Sequence, residues 1–447
     1  MASPDLSYTQ MLPSGDVTGE LSPSQIEALT TQLCADHRAL EELGRQERVR
    51  MIARTCAWLA EDGELLARMV TEGSAHTGYH PETLRQSLVE LLGLFTPAAL
   101  LSLLEDELGP EVPAGAVTSH RLRATERVLS SPRCCVQIHA ATVPTAAMEG
   151  LLLSLCAGVP TIIRTSDHER ATARFALKAL RRRAPTLARH AAVVSWPSAS
   201  DAHVRAAALA HPLFVCHGSD HSIAAVRAAV EDQAEVMGYG HRLSCLVIAP
   251  STAMTGPAIT RLADAIALDC ALFEGQGCMS PQTAFVVPPA DQPELAEQLA
   301  EALIRSALPR CAEQLPRGVM PPAVAAEQMQ LAGVAAFTGH AERTAAGTVL
   351  RHDDGAFHPS PGWRLLHVSR CVSEAALFEA LETQRHHLST AGLYCNDPDQ
   401  ERLAQRLAAV GFRRVCRPGR MQRPVLLRAH DGVPRVRDWF RICDIES

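Results

Sequence analysis

Hydrophobic positions in the first hundred residues recur at helical spacing. This pattern predicts helices over residues 22–69 and from Pro81 to about Leu104, and Ser22-Pro23 supplies a cap and a first-turn proline. Residues 1–20 are polar, with scattered serine, proline and glycine, so we expect a loose arm there.

From Arg133 onward, short apolar runs alternate with helical stretches. Strands are predicted at residues 134–138, 161–164, 191–196 and 213–216, each followed by a helix. Such alternation is typical of a parallel sheet covered by helices, in which ligands bind where the strands end and the helices begin.

A second α/β region follows, to about Leu393. Strands are predicted at residues 246–249 and 283–287, and the helix between them carries apolar residues from Ile259 to Phe273. The tail is predicted to contain a helix over residues 399–410 and a helical run over residues 433–443.

The composition limits the class of protein. With 447 residues, of which 47% are hydrophobic and 20% charged, the chain is long enough for two or three globular domains. A net charge of -7 argues against a nucleic-acid partner. We find no signal peptide and no apolar run of membrane-spanning length, and the 14 cysteines lack disulfide-framework spacing, so we expect a cytoplasmic protein.

One cysteine lies in a loop. Residues 273–282 read Phe-Glu-Gly-Gln-Gly-Cys-Met-Ser-Pro-Gln, between a predicted helix and a predicted strand. Glycines on one side and Ser-Pro on the other turn the backbone without crowding the sulfur. Cys278 is therefore the candidate nucleophile, against the alternative that it is a small core residue like most cysteines.

Two further places suit a ligand that carries phosphate or ribose. Gly218 and Ser219 join a strand to a helix, where N–H groups and the helix dipole favour phosphate, although taken alone such a pattern is more often a glycine turn with a Ser/Asp cap. Arg164 ends a buried strand near Ser166, and it is either a ligand of ribose or 2′-phosphate or a surface arginine. A G-x-G-x-x-G fingerprint is absent.

Thr142 and His241 complete the candidates. Thr142 precedes a helix that starts with proline, and its hydroxyl either caps that helix or points into a cleft. His241 lies in the glycine-rich run at residues 237–242, predicted as a turn, where it could act as acid or base. Histidines 386–387 have no partners at metal-ligand spacing, so the sequence predicts no metal site.

The order of these pieces resembles the aldehyde dehydrogenase superfamily, and within it the LuxC-like acyl-CoA reductase family. Residues 238–244 resemble that family's glycine-tyrosine-glycine-histidine-arginine turn, and residues 277–282 resemble its nucleophile loop. The short motifs at residues 77–79, 217–220, 430–432 and 444–446 also resemble segments of that family.

The resemblance implies an α/β, aldehyde-dehydrogenase-like fold with a Rossmann-type cofactor domain and an α/β catalytic domain. The expected parts are an N-terminal arm (1–20), N-terminal helices with the NAD(P)-binding domain (21–238), a catalytic domain with the nucleophilic cysteine (239–393) and a C-terminal segment that returns to the cofactor domain (394–447). In this family Cys278 would accept the acyl group. Gly218 and Ser219 would lie near the cofactor pyrophosphate, and Arg164 and Ser166 near the adenosine ribose.

The implied reaction reduces an acyl thioester, carried by coenzyme A or by an acyl carrier protein, to an aldehyde through an acyl-enzyme and a thiohemiacetal. NADPH or NADH is the implied cofactor, and Arg164 favours NADPH. Two positions depart from the pattern: Gly238 stands where hydrolytic aldehyde dehydrogenases have a glutamate, and Thr142 stands where the family usually has an asparagine that stabilises the oxyanion.

Two alternatives stay open at this stage. One is an aldehyde dehydrogenase that runs in the oxidative direction. The other is a non-catalytic member that binds a carrier protein or a partner enzyme. The superfamily also implies a homo-oligomer.

Overall fold

The computed structural model describes residues 20–110, 118–120, 125–140, 142–166, 171–198, 200–338 and 340–446. The arm predicted for residues 1–20 therefore lies almost wholly outside the described residues. The chain folds into two compact units: residues 1–77, 88–240 and 426–447 form the first, and residues 78–87 and 241–425 form the second.

The elements up to residue 240 are α1 (Pro23–Ala35), α2 (His37–Glu41), α3 (Arg45–Glu61), α4 (Gly63–Thr77), α5 (Pro81–Leu94), α6 (Pro97–Leu108), β1 (Thr118–His120), β2 (Thr125–Ser130), β3 (Cys135–Ile138), α7 (Pro144–Ala157), β4 (Thr161–Arg164), α8 (Ala171–Arg183), α9 (Pro185–Ala188), β5 (Ala191–Val194), α10 (Asp201–Ala208), β6 (Leu213–His217), α11 (Asp220–Val230) and β7 (Glu235–Tyr239).

The remaining elements are β8 (Leu243–Ala249), α12 (Gly256–Ala271), β9 (Pro281–Val286), α13 (Leu295–Ala302), α14 (Leu308–Gln314), α15 (Pro322–Thr338), β10 (His340–Arg343), β11 (Thr348–His352), β12 (Leu365–Arg370), α16 (Glu374–Glu382), β13 (Leu388–Cys395), α17 (Asp397–Val410), β14 (Arg414–Cys416) and β15 (Arg441–Glu446). Short 3₁₀ segments cover Leu272–Gly275 and Arg437–Trp439, and a π-helical turn covers Leu303–Ala307.

The first unit contains a five-stranded parallel sheet in the order β5-β4-β3-β6-β7. Its strands are short apolar runs, and residues such as Ile162 and Phe214 are fully buried against Leu33 of α1 and Ala207 of α10. Gly158 ends α7 in the left-handed conformation, with φ 86°, where glycine has no steric penalty. This doubly wound arrangement confirms the α/β prediction.

The glycine-rich run and the tail of the first unit differ from the predictions. Gly238 and Tyr239 belong to strand β7, beside β6, so the predicted turn is confined to the residues that follow. The helix predicted for residues 433–443 is wrong: a 3₁₀ turn leads into β15, which pairs antiparallel with β2. In both places the pairing partner is distant in sequence and overrides the local pattern.

The second unit is built on a seven-stranded sheet in the order β10-β11-β12-β9-β8-β13-β14, parallel except for the β10–β11 pair. Successive residues of β8 face opposite sides. Leu246 packs with α12 and α13, and Cys245 packs with α16 and α17. Helices thus cover both faces, as the apolar character of these strands requires.

Within the described part of the chain, no single helix combines the length and hydropathy of a membrane span. The bent pair α5–α6 reaches that threshold only when the two helices are taken together.

Candidate active site

Cys278 lies in the loop between α12 and β9, and it is exposed. All 14 cysteines fall within the described residues; nine are buried, three are partly buried, and Cys278 and Cys443 are exposed. Burial is the usual state of a cysteine, so the sequence correctly assigns most of them to the core. The thiol in the glycine-flanked loop is reachable from solvent.

One hydrogen bond within this loop and two from other segments hold it in place. The Ser244 hydroxyl donates to the Cys278 carbonyl at 2.6 Å, and the Ser280 amide donates to the Gly277 carbonyl at 2.8 Å. The Gln422 side-chain amide donates to the Ser280 hydroxyl at 2.8 Å. The cysteine is therefore presented by an ordered turn, as a nucleophile requires.

An unusual backbone precedes the cysteine. Phe273, Glu274 and Gly275 are consecutive residues with positive φ values of 53°, 51° and 69°. Left-handed backbone is costly for phenylalanine and glutamate, and it persists only where surrounding contacts enforce it. The contacts of Glu274 provide that enforcement.

Glu274 is fully buried and forms a two-pronged ion pair with Arg364, at 2.7 and 3.0 Å. One of its oxygens also accepts the Gly318 amide at 2.8 Å. Two hydrogen bonds in one plane give this charged pair both strength and a fixed geometry. Because its oxygens are engaged in this way, Glu274 braces the cysteine loop and is not placed to act as a base.

The glycine-tyrosine motif at residues 78–79 packs beside the same loop. The buried Tyr79 hydroxyl accepts a hydrogen bond from the Gln276 side chain at 3.3 Å. Burial, and to a lesser extent the Glu274 carboxylate, raises the pKa of Tyr79 above its usual value. The Gly78 carbonyl accepts a hydrogen bond from the Val319 amide, and a Cβ at Gly78 would lie 2.8 Å from the Val319 oxygen. This motif therefore supports the loop.

His241 and Arg242 precede β8, and Cys278 precedes β9. The two strands are parallel neighbours, with Ser244 opposite Pro281, so these residues lie at the same amino-terminal edge of the sheet. His241 is exposed, with its ring 5.6 Å from that of His387, and Arg242 donates to the His241 carbonyl. The chemistry-bearing groups of the second unit thus lie at strand beginnings, not at the strand ends expected for parallel sheets.

The remaining candidates gather at the carboxyl edge of the first unit's sheet. Strand β3 lies between β4 and β6, with Ile138 opposite both Arg164 and Cys216. Thr142, Ser166 and Gly218 all follow the ends of these three neighbouring strands. The chain turns to opposite sides of β3 at this edge, which is the switch point where doubly wound sheets bind ligands.

Ser219 is the N-cap of α11. Its hydroxyl accepts the Ser222 amide at 3.1 Å, so the capping interpretation is correct for this side chain. Gly218 is half-buried, and a Cβ there would approach no described atom closer than 3.6 Å. The turn before α11 therefore leaves space above a helix N-terminus, which favours an anion.

Arg164 is buried, so the surface-arginine alternative is wrong. Its guanidinium donates to the Trp196 carbonyl at 2.8 Å and lies 6.0 Å from the Trp196 ring centroid. The hydroxyl of Ser166 is buried and has no hydrogen-bond partner among the described residues. A buried hydroxyl without a partner is unusual in a protein and suits a ligand group.

Thr142 is exposed. The N-cap position of α7 is Val143, so Thr142 lies one residue before the cap position that the sequence suggested for it.

A stack of aromatic rings behind the Gly218 turn escaped the sequence analysis. The His217 ring stacks between those of His139 and Tyr239, at 4.7 and 4.8 Å, and His430 packs edge-on against His217 and Tyr239. Burial lowers the pKa of His217 to about 4, against a smaller opposing effect of Glu149. The motifs at residues 217–220, 238–244 and 430–432 were noticed separately, and the stack is the contact that they share.

Comparisons with known proteins identify the family of this chain. A family model described as acyl-CoA reductase (LuxC) matches residues 45–442. No curated protein sequence matches the chain.

Solved structures show the same fold at low identity. An NAD-dependent benzaldehyde dehydrogenase from Corynebacterium glutamicum is 16% identical, with TM-score 0.71, over 96% of this chain and 90% of that one. Aldehyde dehydrogenase 21 from Physcomitrella patens, solved with the product succinate, is 13% identical, with TM-score 0.71 and coverages of 96% and 91%. The Δ-pyrroline-5-carboxylate dehydrogenase from Mycobacterium tuberculosis is 14% identical, with TM-score 0.69 and coverages of 95% and 83%.

These findings confirm the predicted fold and family. The family match extends over most of the chain, and the fold is that of aldehyde dehydrogenases. The chain therefore belongs to the LuxC acyl-CoA reductase family and has the aldehyde dehydrogenase fold, and it is an oxidoreductase that reduces an acyl thioester to an aldehyde with a nicotinamide cofactor.

Proposed function

We propose that Cys278 is the residue that accepts the acyl group in this reaction. The observation that carries the proposal is an exposed thiol on a loop held by contacts at the Cys278 carbonyl, the Ser280 hydroxyl and the Glu274 carboxylate. The Cys278 sulfur attacks the thioester carbonyl, the bond to the carrier thiol breaks, and that thiol leaves with a proton. One thioester replaces another, so this step is nearly balanced in free energy.

The acyl group then leaves as an aldehyde. When bound, the nicotinamide cofactor supplies the hydride that the acyl carbon needs. The carbonyl oxygen takes up a proton to give a thiohemiacetal on Cys278. The hydroxyl then loses this proton to water as the carbon–sulfur bond breaks, which releases the aldehyde and the thiolate. The Cys278 amide is the first candidate donor to the oxyanion and Thr142 the second, and one such donor is typically worth about 3 kcal/mol.

The attacking species must be a thiolate, which a positive charge stabilises. We assign the positive charge that stabilises the Cys278 thiolate to His241 or Arg242, because both lie at the sheet edge where Cys278 lies. His241→Gln and Arg242→Gln separate the two: the variant that lacks the activating group should need a higher pH for half-maximal alkylation of Cys278 by iodoacetamide. An unchanged profile in both would contradict the assignment.

The cofactor site that we propose is the carboxyl edge of the first unit. Gly218 and Ser219 would hold the pyrophosphate at the α11 N-terminus, Ser166 would hold the adenosine ribose, and Arg164 would lie near that ribose and hold a 2′-phosphate. The open space at Gly218 and the buried Ser166 hydroxyl fit such a group. We favour NADPH over NADH because a guanidinium can grip a 2′-phosphate.

Arg164→Gln tests the preference for NADPH. It should raise the Kd for NADPH by at least about tenfold, which corresponds to about 1.4 kcal/mol, and leave the Kd for NADH within about threefold. Equal weakening of both cofactors would assign Arg164 to folding or to a shared contact instead.

The carrier of the acyl group and the assembly remain proposals. Coenzyme A and a carrier-protein thiol offer the same thioester to Cys278, and a screen of free and carrier-bound thioesters of increasing chain length distinguishes them. The homo-oligomer and the cytoplasmic location expected from the sequence also stay predictions.

The decisive experiment compares the two exposed cysteines. Cys278→Ala should form no acyl adduct by mass spectrometry after mixing with an acyl-CoA, and it should not oxidise NAD(P)H. Cys443→Ala, the matched control, should retain both properties. Near-normal cofactor oxidation by Cys278→Ala would refute the nucleophile, and absence of any adduct in the unaltered protein would favour a non-catalytic binding protein.

A further inference from the structure

We propose that His352, His358 and His367 of the second unit form a binding site for a divalent transition-metal ion such as Zn²⁺. His352 ends β11, His367 lies in β12, and His358 lies in the loop between these neighbouring strands. Each ring contributes one nitrogen, and the three nitrogens lie within 4.8 Å of one another. Imidazole nitrogen is a preferred ligand of zinc, copper and nickel.

The distances match a coordination sphere that is nearly formed. At metal–nitrogen distances near 2.05 Å, tetrahedral ligands lie about 3.3 Å apart. The nitrogen pair of His352 and His367 is 2.9 Å apart, and the widest separation in the cluster is within 4.8 Å. The observed separations therefore bracket the required one, and shifts of about an ångström or less in each ring suffice.

The ring orientations show what binding must change. His352 and His358 stack at 3.8 Å with 16° between their planes. The His367 ring is tilted by 32° from that of His352 and by 21° from that of His358. An imidazole lone pair lies in the ring plane, so the three rings must turn to point at one ion. Rotation about the terminal torsion of histidine is soft, which makes this turn inexpensive.

A carboxylate is placed to orient one of the rings. An oxygen of Asp354 lies 3.1 Å from a His358 nitrogen, within hydrogen-bond distance, and it also accepts the Ala356 amide at 3.0 Å. Such carboxylate partners of metal-binding histidines fix the ring orientation. Three imidazoles with a fourth position left for water make a three-histidine site of a type that zinc occupies in proteins.

The position of the cluster gives the ion a role. The Thr283 hydroxyl in β9 donates to the His358 carbonyl at 2.7 Å and accepts the His358 amide at 3.0 Å. The Ser360 amide donates to the Gln282 side chain at 3.2 Å. The loop that carries His358 is thus attached to the strand that follows Cys278, and an ion would fix this loop and raise the stability of the second unit.

The test uses the full-length protein after metal removal with EDTA. Titration calorimetry with ZnCl₂ should give one strong site per chain and a higher thermal midpoint. Co²⁺ in its place should give a tetrahedral visible spectrum without a thiolate charge-transfer band. His358→Ala should lose the site, and Asp354→Asn should bind about 10- to 100-fold more weakly. His386→Ala, which alters an exposed histidine outside the cluster, should bind like the unaltered protein.

Two controls keep the result interpretable. Circular dichroism checks that His358→Ala is folded, and His358→Gln is the second variant if it is not. Cys278→Ser removes the exposed loop thiol, which is a competing metal ligand. Absence of Zn²⁺ binding by the stripped protein, binding kept by folded His358 variants, or binding lost only in Cys278→Ser would each overturn the proposal.

Discussion

The carboxylate of Glu274 and the guanidinium of Arg364 are both fully buried, so each charge is compensated chiefly by the other. Glu274→Gln should therefore lower the free energy of unfolding by about 3–5 kcal/mol, because it leaves the guanidinium without its counter-charge. Urea denaturation measures this loss. Glu382→Gln breaks the exposed pair with Arg385 and should cost less than about 1 kcal/mol. Similar losses in the two variants would contradict a bracing role for Glu274.

The same pair shows where reasoning from single residues stops. The sequence marks Cys278 through its glycine-flanked loop, because backbone freedom at glycine is a local property. Glu274 and Arg364 are 90 residues apart, and no local pattern connects them. From the sequence, Gly238 marks the absence of the glutamate that hydrolytic aldehyde dehydrogenases have at this position. In the structure, a Cβ at Gly238 would lie 2.6 Å from the Ile223 side chain. Packing alone therefore demands glycine there.

At the scale of elements, local pattern was sufficient for some of the elements that are buried on both faces or carry their own cap. Strand β4 spans the predicted residues 161–164, and α7 ends at the predicted Gly158. Strands β7 and β15 were missed because their pairing partners, β6 and β2, are distant in the chain. The histidine cluster between β11 and β12 was missed for a similar reason, since two neighbouring parallel strands and their loop bring its members together.

The histidine stack of the first unit should make this unit sensitive to acid. Burial holds the pKa of His217 near 4 and those of His139 and His430 well below normal, whereas unfolded histidine titrates near pH 6.5. Below about pH 6.5 the unfolded chain binds protons that the folded chain does not bind. The free energy of unfolding should therefore decrease as the pH is lowered, by up to about 1.4 kcal/mol per pH unit for each histidine.

Urea midpoints between pH 7 and pH 4.5 measure this slope. The double variant His217→Gln/His430→Gln should show a shallower slope than the unaltered protein, whatever its stability at pH 7. His221→Gln removes an exposed histidine of α11 and should leave the slope unchanged. An equal slope in the double variant and the unaltered protein would assign the acid sensitivity to other groups.

At the scale of the whole molecule, the reaction requires the acyl-enzyme to survive until it is reduced. Glu274, the carboxylate nearest to Cys278 in sequence, is occupied by Arg364 and the Gly318 amide, and Gly238 has no room for a side chain. Mixing the protein with an acyl-CoA alone should therefore release one equivalent of free thiol in a burst. Hydrolysis of the adduct should then be at least about tenfold slower than its reduction, a barrier difference of about 1.4 kcal/mol or more.

Addition of NADPH should consume the trapped adduct and release aldehyde at the rate of normal turnover. Mass spectrometry follows the adduct, and a thiol reagent follows the carrier. Cys443→Ala should give the same burst, because that thiol lies outside the loop. Continuous thiol release without NADPH would reveal a base able to activate water, and the protein would then be a thioesterase as well as a reductase. A full burst followed by a stable adduct is the behaviour expected when neither Glu274 nor position 238 supplies a base that activates water.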